Sequence, residues 1–194
     1  MGLAIMILGL VVFLGGHVFI TMRGHRAAAI ARFGEGRYKG LFSLAAVIGI
    51  VLIGYGFAYY RATGWIDIWF PPPWTRHVTD ALVWPAVICI VAAYIPGEIK
   101  RVLKHPMLVG VKLWAVAHLI TNGDLGSIIL FGSFLAWAGY DRIAVKYRGD
   151  AVALPKPAAG YRKDFITVVV GTLVYFALGL WFHPWVIGKP VFGS

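Results

Sequence analysis

The sequence predicts an all-α, polytopic membrane protein: a bundle of about six transmembrane helices forming one domain over residues 1–194. Three observations predict it. Only 13% of the 194 residues are charged while 60% are hydrophobic, against about 25% charged in an ordinary soluble domain. Mean hydropathy is +0.78. The charges also cluster, leaving uncharged blocks of membrane-crossing length whose natural solvent is a lipid bilayer.

The first span is read at 3–21. The chain opens MGLAIMILGLVVFLGGHVF, without the basic segment of a cleaved signal peptide, so this span is expected to be retained. The second span is 41–60. The third is 78–95, where Pro85 is placed to kink it near its start. The fourth, 100–121, contains HPMLVGVKLWAVAHLIT, and Pro106 suits a first helical turn, where its missing N–H costs nothing. Asn122-Gly123-Asp124 reads as a turn whose aspartate caps the fifth span, 125–145. The sixth is 165–181. Ala45 with Gly49, and Gly132 with Ala136, are spaced for close helix contacts. The polar segment 148–163, with Pro155 and Pro157, holds no phosphate loop, zinc spacing or catalytic triad and reads as a connector.

Charge placement orients the bundle. Fifteen of the eighteen Lys and Arg residues fall between spans one and two, three and four (with Lys112 snorkelling from the fourth), and five and six. Only Arg61, Arg76 and Lys189 lie on the other side. By the positive-inside rule the basic side is cytoplasmic and both termini face outward. The net charge of +10 is therefore topology, and no nucleic-acid partner is expected. The outer segment RATGWIDIWFPPPWTRH places Trp65, Trp69 and Trp74, with Trp84 beyond, in an interfacial aromatic belt, and its three prolines make it a stiff, ordered cap. The single cysteine, Cys89, excludes an internal disulfide or a CxxC motif and reads as a packing residue.

Polar groups at membrane depth are costly, which makes them functional candidates. Here they are His17 in span one, His118 in span four, and Asn122 with Asp124 where span four turns into span five. His25, His77, His105 and His183 fall near the interfaces and read as anchors. His17 lies six residues before Arg23, a depth of roughly 9 Å at the helical rise. His118 lies six residues beyond Lys112. If Lys112 marks the interface the two depths match; if Pro106 does, they differ by about 9 Å. Two inward histidines at one depth suit a planar haem held from opposite faces, and Gly15, Gly16 and Gly110 leave room for a flat group. No HxxxH, HxxE or carboxylate pair within the spans points to a metal cluster.

The stretch HPMLVGVKLWAVAHLITNGDLGS resembles the signature of the NnrU family of bacterial inner-membrane proteins associated with denitrification. The glycine-flanked His17 followed by RGHRAAAIARFGEGRYKGLFSLAAVIGI is similar to that family's opening hairpin, so the resemblance covers nearly the whole chain. It implies a single NnrU-like transmembrane domain in the inner membrane and a link to nitric oxide and nitrite metabolism; in that membrane the outward-facing termini expected from the charges are periplasmic. Zeta-carotene isomerase, in the same superfamily, is a haem b protein whose axial histidines fall in segments corresponding to His17 and to Leu113–His118. The resemblance thus implies haem b ligated by His17 and His118; Trp114, within the same element, and the polar His105 and Asn122 flanking its helix are further candidate cofactor-binding residues. The chain has Ala115 where the isomerase has a cysteine, so that sulfur ligand is not expected here. Two further functions fit the family: isomerisation of a hydrophobic small molecule of carotenoid type, and non-enzymatic assembly of nitrogen-oxide reductases. KHPMLVG is also similar to the Arg-His-Pro element of membrane methyltransferases. Lys104 replaces the arginine, and the downstream glutamate pair is replaced by YDRIAVKYRGD, which speaks against methyl transfer.

Overall fold

The computed structural model describes residues 1–147 and 161–192. The connector expected at 148–163 lies outside the described residues up to position 160. Among the described residues every regular element is helical, and β-type pairing is limited to an isolated bridge between Asp67 and Asp124. The helices are α1 (Gly2–Phe19), α2 (Arg23–Phe33), α3 (Glu35–Thr63), α4 (Thr75–Ala92), α5 (Glu98–Leu103), α6 (Pro106–Thr121), α7 (Leu125–Tyr147) and α8 (Arg162–Ala177), the last running on as a π-helix over Leu178–Ile187. Five of these stretches are long and apolar enough to cross a membrane: α1, α3, α4, α7, and α8 with its π-helical extension. The most apolar window of α3 has a hydropathy of 2.3 yet is only 11% buried within the protein. Such a surface is tolerable only where lipid covers it, and the chain is a membrane protein.

The expected fourth span begins later than Lys100. The chain breaks at Lys104, whose φ of 61° lies in the left-handed region, and α6 starts at Pro106. The reason is local: a proline disfavours helical backbone in the residue before it, so His105 cannot continue α5 into α6. The resulting α6 has sixteen residues, roughly 24 Å of rise. It is apolar but shorter than the five full-length stretches. A second element absent from the expectation is α2, a helix with no buried residue in the first basic loop. Its alanine run favours helix. It ends where Gly34 takes φ +78°, which also starts α3, with Glu35 in the favourable first turn and bonded to Lys39 at 2.7 Å.

The chain forms two compact units. The first, Met1–Phe70 with Asn122–Ala144, is organised on the seam between α1 and α3. Gly2, Met6, Gly9 and Leu10 form the buried stripe of α1, and Gly49, Gly56 and Tyr60 that of α3. A Cβ on Gly9 would stand 2.6 Å from the Ile53 amide nitrogen, and one on Gly49 would stand 2.8 Å from the Phe13 Cβ. The helices therefore touch backbone to backbone, the way apolar helices gain dispersion energy where there is no hydrophobic drive. The close contact expected of Gly49 is present. That expected of Gly132 is not, since no described atom lies within 4 Å of where its Cβ would stand. Tyr60 is 1% exposed; its hydroxyl accepts from the Ile66 amide at 3.0 Å, and its ring fills the space beside Gly126 of α7. Ile68 and Trp69 donate to the Gly123 carbonyl, and Leu125 donates to that of Ile66. This part of the Trp-rich segment is thereby ordered against the start of α7, whose Ser127 amide is capped by Asp124 at 2.9 Å, as the turn sequence predicts.

The second unit is Pro71–Thr121 with Val145–Ser194. Here α4 packs on α6 and α8 through Ala86, Val87, Ile88, Cys89 and Ala92. Cys89 is a free, buried packing residue. Gly110 does not make room for a ligand: a Cβ there would stand 2.7 Å from the Ala86 carbonyl oxygen, so its smallness serves the α4–α6 contact. Thr79 donates to the Ala117 carbonyl at 2.8 Å, and its hydroxyl also meets that of Thr121. Asp164, buried at the start of α8, accepts from the Glu98 and Ile99 amides at 3.0 and 2.9 Å, capping α5 from another helix.

Candidate functional site

His17 sits near the end of α1, half-buried in the first unit. Its Nδ1 lies 2.7 Å from the Phe13 carbonyl oxygen, one turn earlier. A carbonyl only accepts, so Nδ1 carries the proton and the neutral ring's lone pair is on Nε2. Three aromatic rings surround the imidazole: Phe13 at 4.3 Å, Phe42 of α3 at 5.3 Å, and Trp137 of α7 at 5.5 Å, the last two edge-on. Gly15 has no described atom within 4 Å of its Cβ position, and Gly16 meets only Phe42. One helical turn further along, Thr21 shares a hydrogen bond of 3.1 Å with Tyr140.

His118 repeats the first feature in the second unit. Its Nδ1 lies 2.9 Å from the Trp114 carbonyl oxygen, which again places the lone pair on Nε2. Trp114 therefore serves twice, fixing the tautomer with its carbonyl and flanking the imidazole with its indole at 5.3 Å. The ring of His183, from the π-helix, lies 6.2 Å from that of His118. Asp80, in the second turn of α4, stands within Coulombic reach of His183 and His77. It opens on a shallow cleft of about 390 Å³ lined by Asp80, Ala81, Trp84, Thr172, Tyr175 and Phe176, whose walls are almost wholly apolar. Trp84 donates across this cleft to the Thr172 hydroxyl at 3.0 Å.

Of the residues singled out from sequence, the structure brings Trp114 and His118 together. His17 belongs to the other unit. His105 has a structural role, because its carbonyl accepts from the Leu108 and Val109 amides and so begins α6. Asn122 follows α6 directly, in the turn that leads to the Asp124 cap. From sequence His183 reads only as an interfacial anchor, and Asp80, Trp137 and Tyr38 are not singled out. His183 and Asp80 lie near span ends, where polar residues are unremarkable. Trp137 and Tyr38 each enclose a donor, Nε1 and Oη, that has no acceptor among the described residues. For Trp137 a signal existed: an indole N–H well inside a span, away from the interface where tryptophan usually sits.

Haem iron takes an imidazole nitrogen with its lone pair available, the ring commonly held by an N–H bond from its other nitrogen. Both His17 and His118 have that arrangement, so the donor chemistry fits. Among the described residues no group of three or more His, Cys, Asp or Glu side chains could hold a metal ion.

In comparisons with curated proteins and with solved structures nothing matches the chain. A family profile described as NnrU protein matches residues 5–191. That match covers almost the whole length, and the chain belongs to the NnrU family.

Proposed function

We propose that this is a haem b protein of the bacterial inner membrane, serving nitrogen-oxide metabolism, with His17 and His118 as its imidazole ligands. The observation that carries the reading is the shared tautomer. In each case a carbonyl one turn earlier holds Nδ1–H and presents Nε2 as the ligand atom. The pairing of these two histidines rests on the sequence and on the family resemblance. When bound, haem b supplies a one-electron couple and a centre at which small gases bind. The chain's own groups do the rest. The Phe13 and Trp114 carbonyls orient the rings, and Phe13, Phe42 and Trp137 pack around that of His17. The apolar cleft beside Asp80 suits a hydrophobic small molecule. The test is the absorption spectrum of protein purified from haem-replete cells: a Soret band is expected, and a colourless preparation ends the proposal.

A second reading has its own observation. A haem taken by His118 would need a second imidazole close by in the same unit, and His183 offers one. His118 and His183 stand 6.2 Å apart. On this reading the second ligand is His183, within one unit. The two are separated by substitution: His183→Ala abolishes the Soret band in the second and leaves it in the first, and His17→Ala does the converse.

The proposal includes periplasmic termini, on the strength of the basic clusters between spans. Alkaline phosphatase, active only in the periplasm, is expected to be active when fused after residue 194 and inactive when fused at residue 150. The reverse pattern inverts the orientation.

A further inference from the structure

The cleft of the second unit is made by one face of each of two helices. Asp80, Ala81 and Trp84 of α4 fall at positions i, i+1 and i+4, and Thr172, Tyr175 and Phe176 of α8 at i, i+3 and i+4. The Trp84 indole is held in place by its bond to Thr172. Tyr175 and Phe176 are braced by Phe192, whose ring lies 5.7 and 5.8 Å from theirs. The volume of about 390 Å³ falls within the range of small-molecule sites, roughly 300–1,000 Å³. Asp80 is the acidic side chain of this apolar lining, and it is half-buried, so its carboxylate can be reached from the cleft. Elsewhere Glu35, Asp67, Glu98, Asp124 and Asp164 each hold a hydrogen bond or an ion pair within the protein. Asp80 has His77 and His183 within Coulombic reach but no hydrogen bond or ion pair among the described residues. A carboxylate inside a membrane-crossing stretch is costly unless it meets a partner.

We propose that this cleft binds a lipophilic amine, with its ammonium group beside the Asp80 carboxylate and its apolar body along Trp84, Tyr175 and Phe176. The carboxylate selects the sign of the charge. The rings suit both parts of such a molecule, because an aromatic face attracts a cation and also packs against hydrocarbon. A phospholipid with an amine head would bring its phosphate beside the same carboxylate, where like charges repel. The occupant is therefore an amine with no anion attached. This rests on the reading of the cleft as a site for a hydrophobic small molecule and names the class of that molecule; it does not depend on haem.

The experiment is equilibrium dialysis of the full-length protein, purified in a neutral detergent, against protein-free micelles of the same detergent. The probes are naphthylethylamine, a cation at neutral pH, and its N-acetyl amide, which keeps the apolar body and has no charge. Wild type is expected to bind the amine about tenfold or more tightly than the amide, the difference that follows when a hydrogen bond to a charged group is lost. Asp80→Asn keeps the shape of the side chain, removes its charge, and is expected to bring the ratio close to one. Should that variant fail to fold, Tyr175→Leu, which removes one aromatic wall of the cleft, is expected to weaken the amine several-fold more than the amide. A ratio unchanged in Asp80→Asn, or in Tyr175→Leu where only that variant folds, overturns the proposal. If phosphatidylethanolamine added to the micelles displaces the bound amine, the occupant is a lipid headgroup and the assignment to a free amine falls. Wild type that binds both probes equally keeps the apolar cleft and removes the cation. Wild type that binds neither removes the reading of the cleft itself, so the two failures are told apart.

Discussion

Replacing His118 by glycine is expected to abolish the Soret band of the purified protein, and imidazole added to that variant is expected to restore it. His118 provides Nε2 in both ligand arrangements considered, so its loss has the largest effect of any single side chain. Weakening a group that merely orients a metal ligand costs on the order of 10- to 100-fold in affinity, and removing the ligand itself costs more. Imidazole rescue separates ligation from folding, because a free ring refills a ligand site but does not repair a misfolded helix. A Soret band that survives the substitution unchanged removes His118 from the site. The carbonyl that fixes its tautomer belongs to Trp114. Trp114→Phe should therefore leave the band in place, since that bond comes from the backbone.

Gly56→Val is expected to lower the unfolding temperature in detergent by roughly 10 °C, taking overpacking to cost about 3 kcal/mol and the shift per kcal/mol usual for a chain of this size. The position of a Cβ at Gly56 overlaps the Met6 backbone, and its next neighbour is the Gly2 carbonyl oxygen at 2.9 Å. Backbone cannot rotate away as a side chain does, so α1 and α3 must separate and lose contact along the seam. The matched control is Gly132→Ala, where the added methyl meets no described atom within 4 Å. It should change stability by less than about 0.5 kcal/mol. Equal effects from the two substitutions would show that the α1–α3 seam does not hold the first unit together.

Several local features were legible because their causes are local. Pro106 begins α6, since proline is at home in a first turn and hostile to helix in the residue before it. Asp124 caps α7 because a short carboxylate after a glycine turn reaches the amide three residues on. Gly49 packs tightly, as its small-residue spacing implied. The same reasoning misassigned Gly110, whose missing side chain admits α4 and leaves no space for a ligand. It also did not find Asp164, which caps a helix some 65 residues away in sequence. No spacing rule relates such positions.

The candidate site divides in the same way. Each histidine's carbonyl bond comes from the residue four positions earlier on its own helix, so the Nδ1–H tautomer of His17 and His118 is a property of sequence once the segments are helical. Membrane class and helical class were likewise fixed by composition, because lipid permits a spanning segment few other ways to satisfy its backbone. The ring of His183 beside His118, the aromatic walls of His17, and the enclosed donors of Trp137 and Tyr38 were decided only by tertiary packing. They depend on which faces of distant helices meet, and those faces are selected by backbone contact at glycines whose partners the sequence does not name.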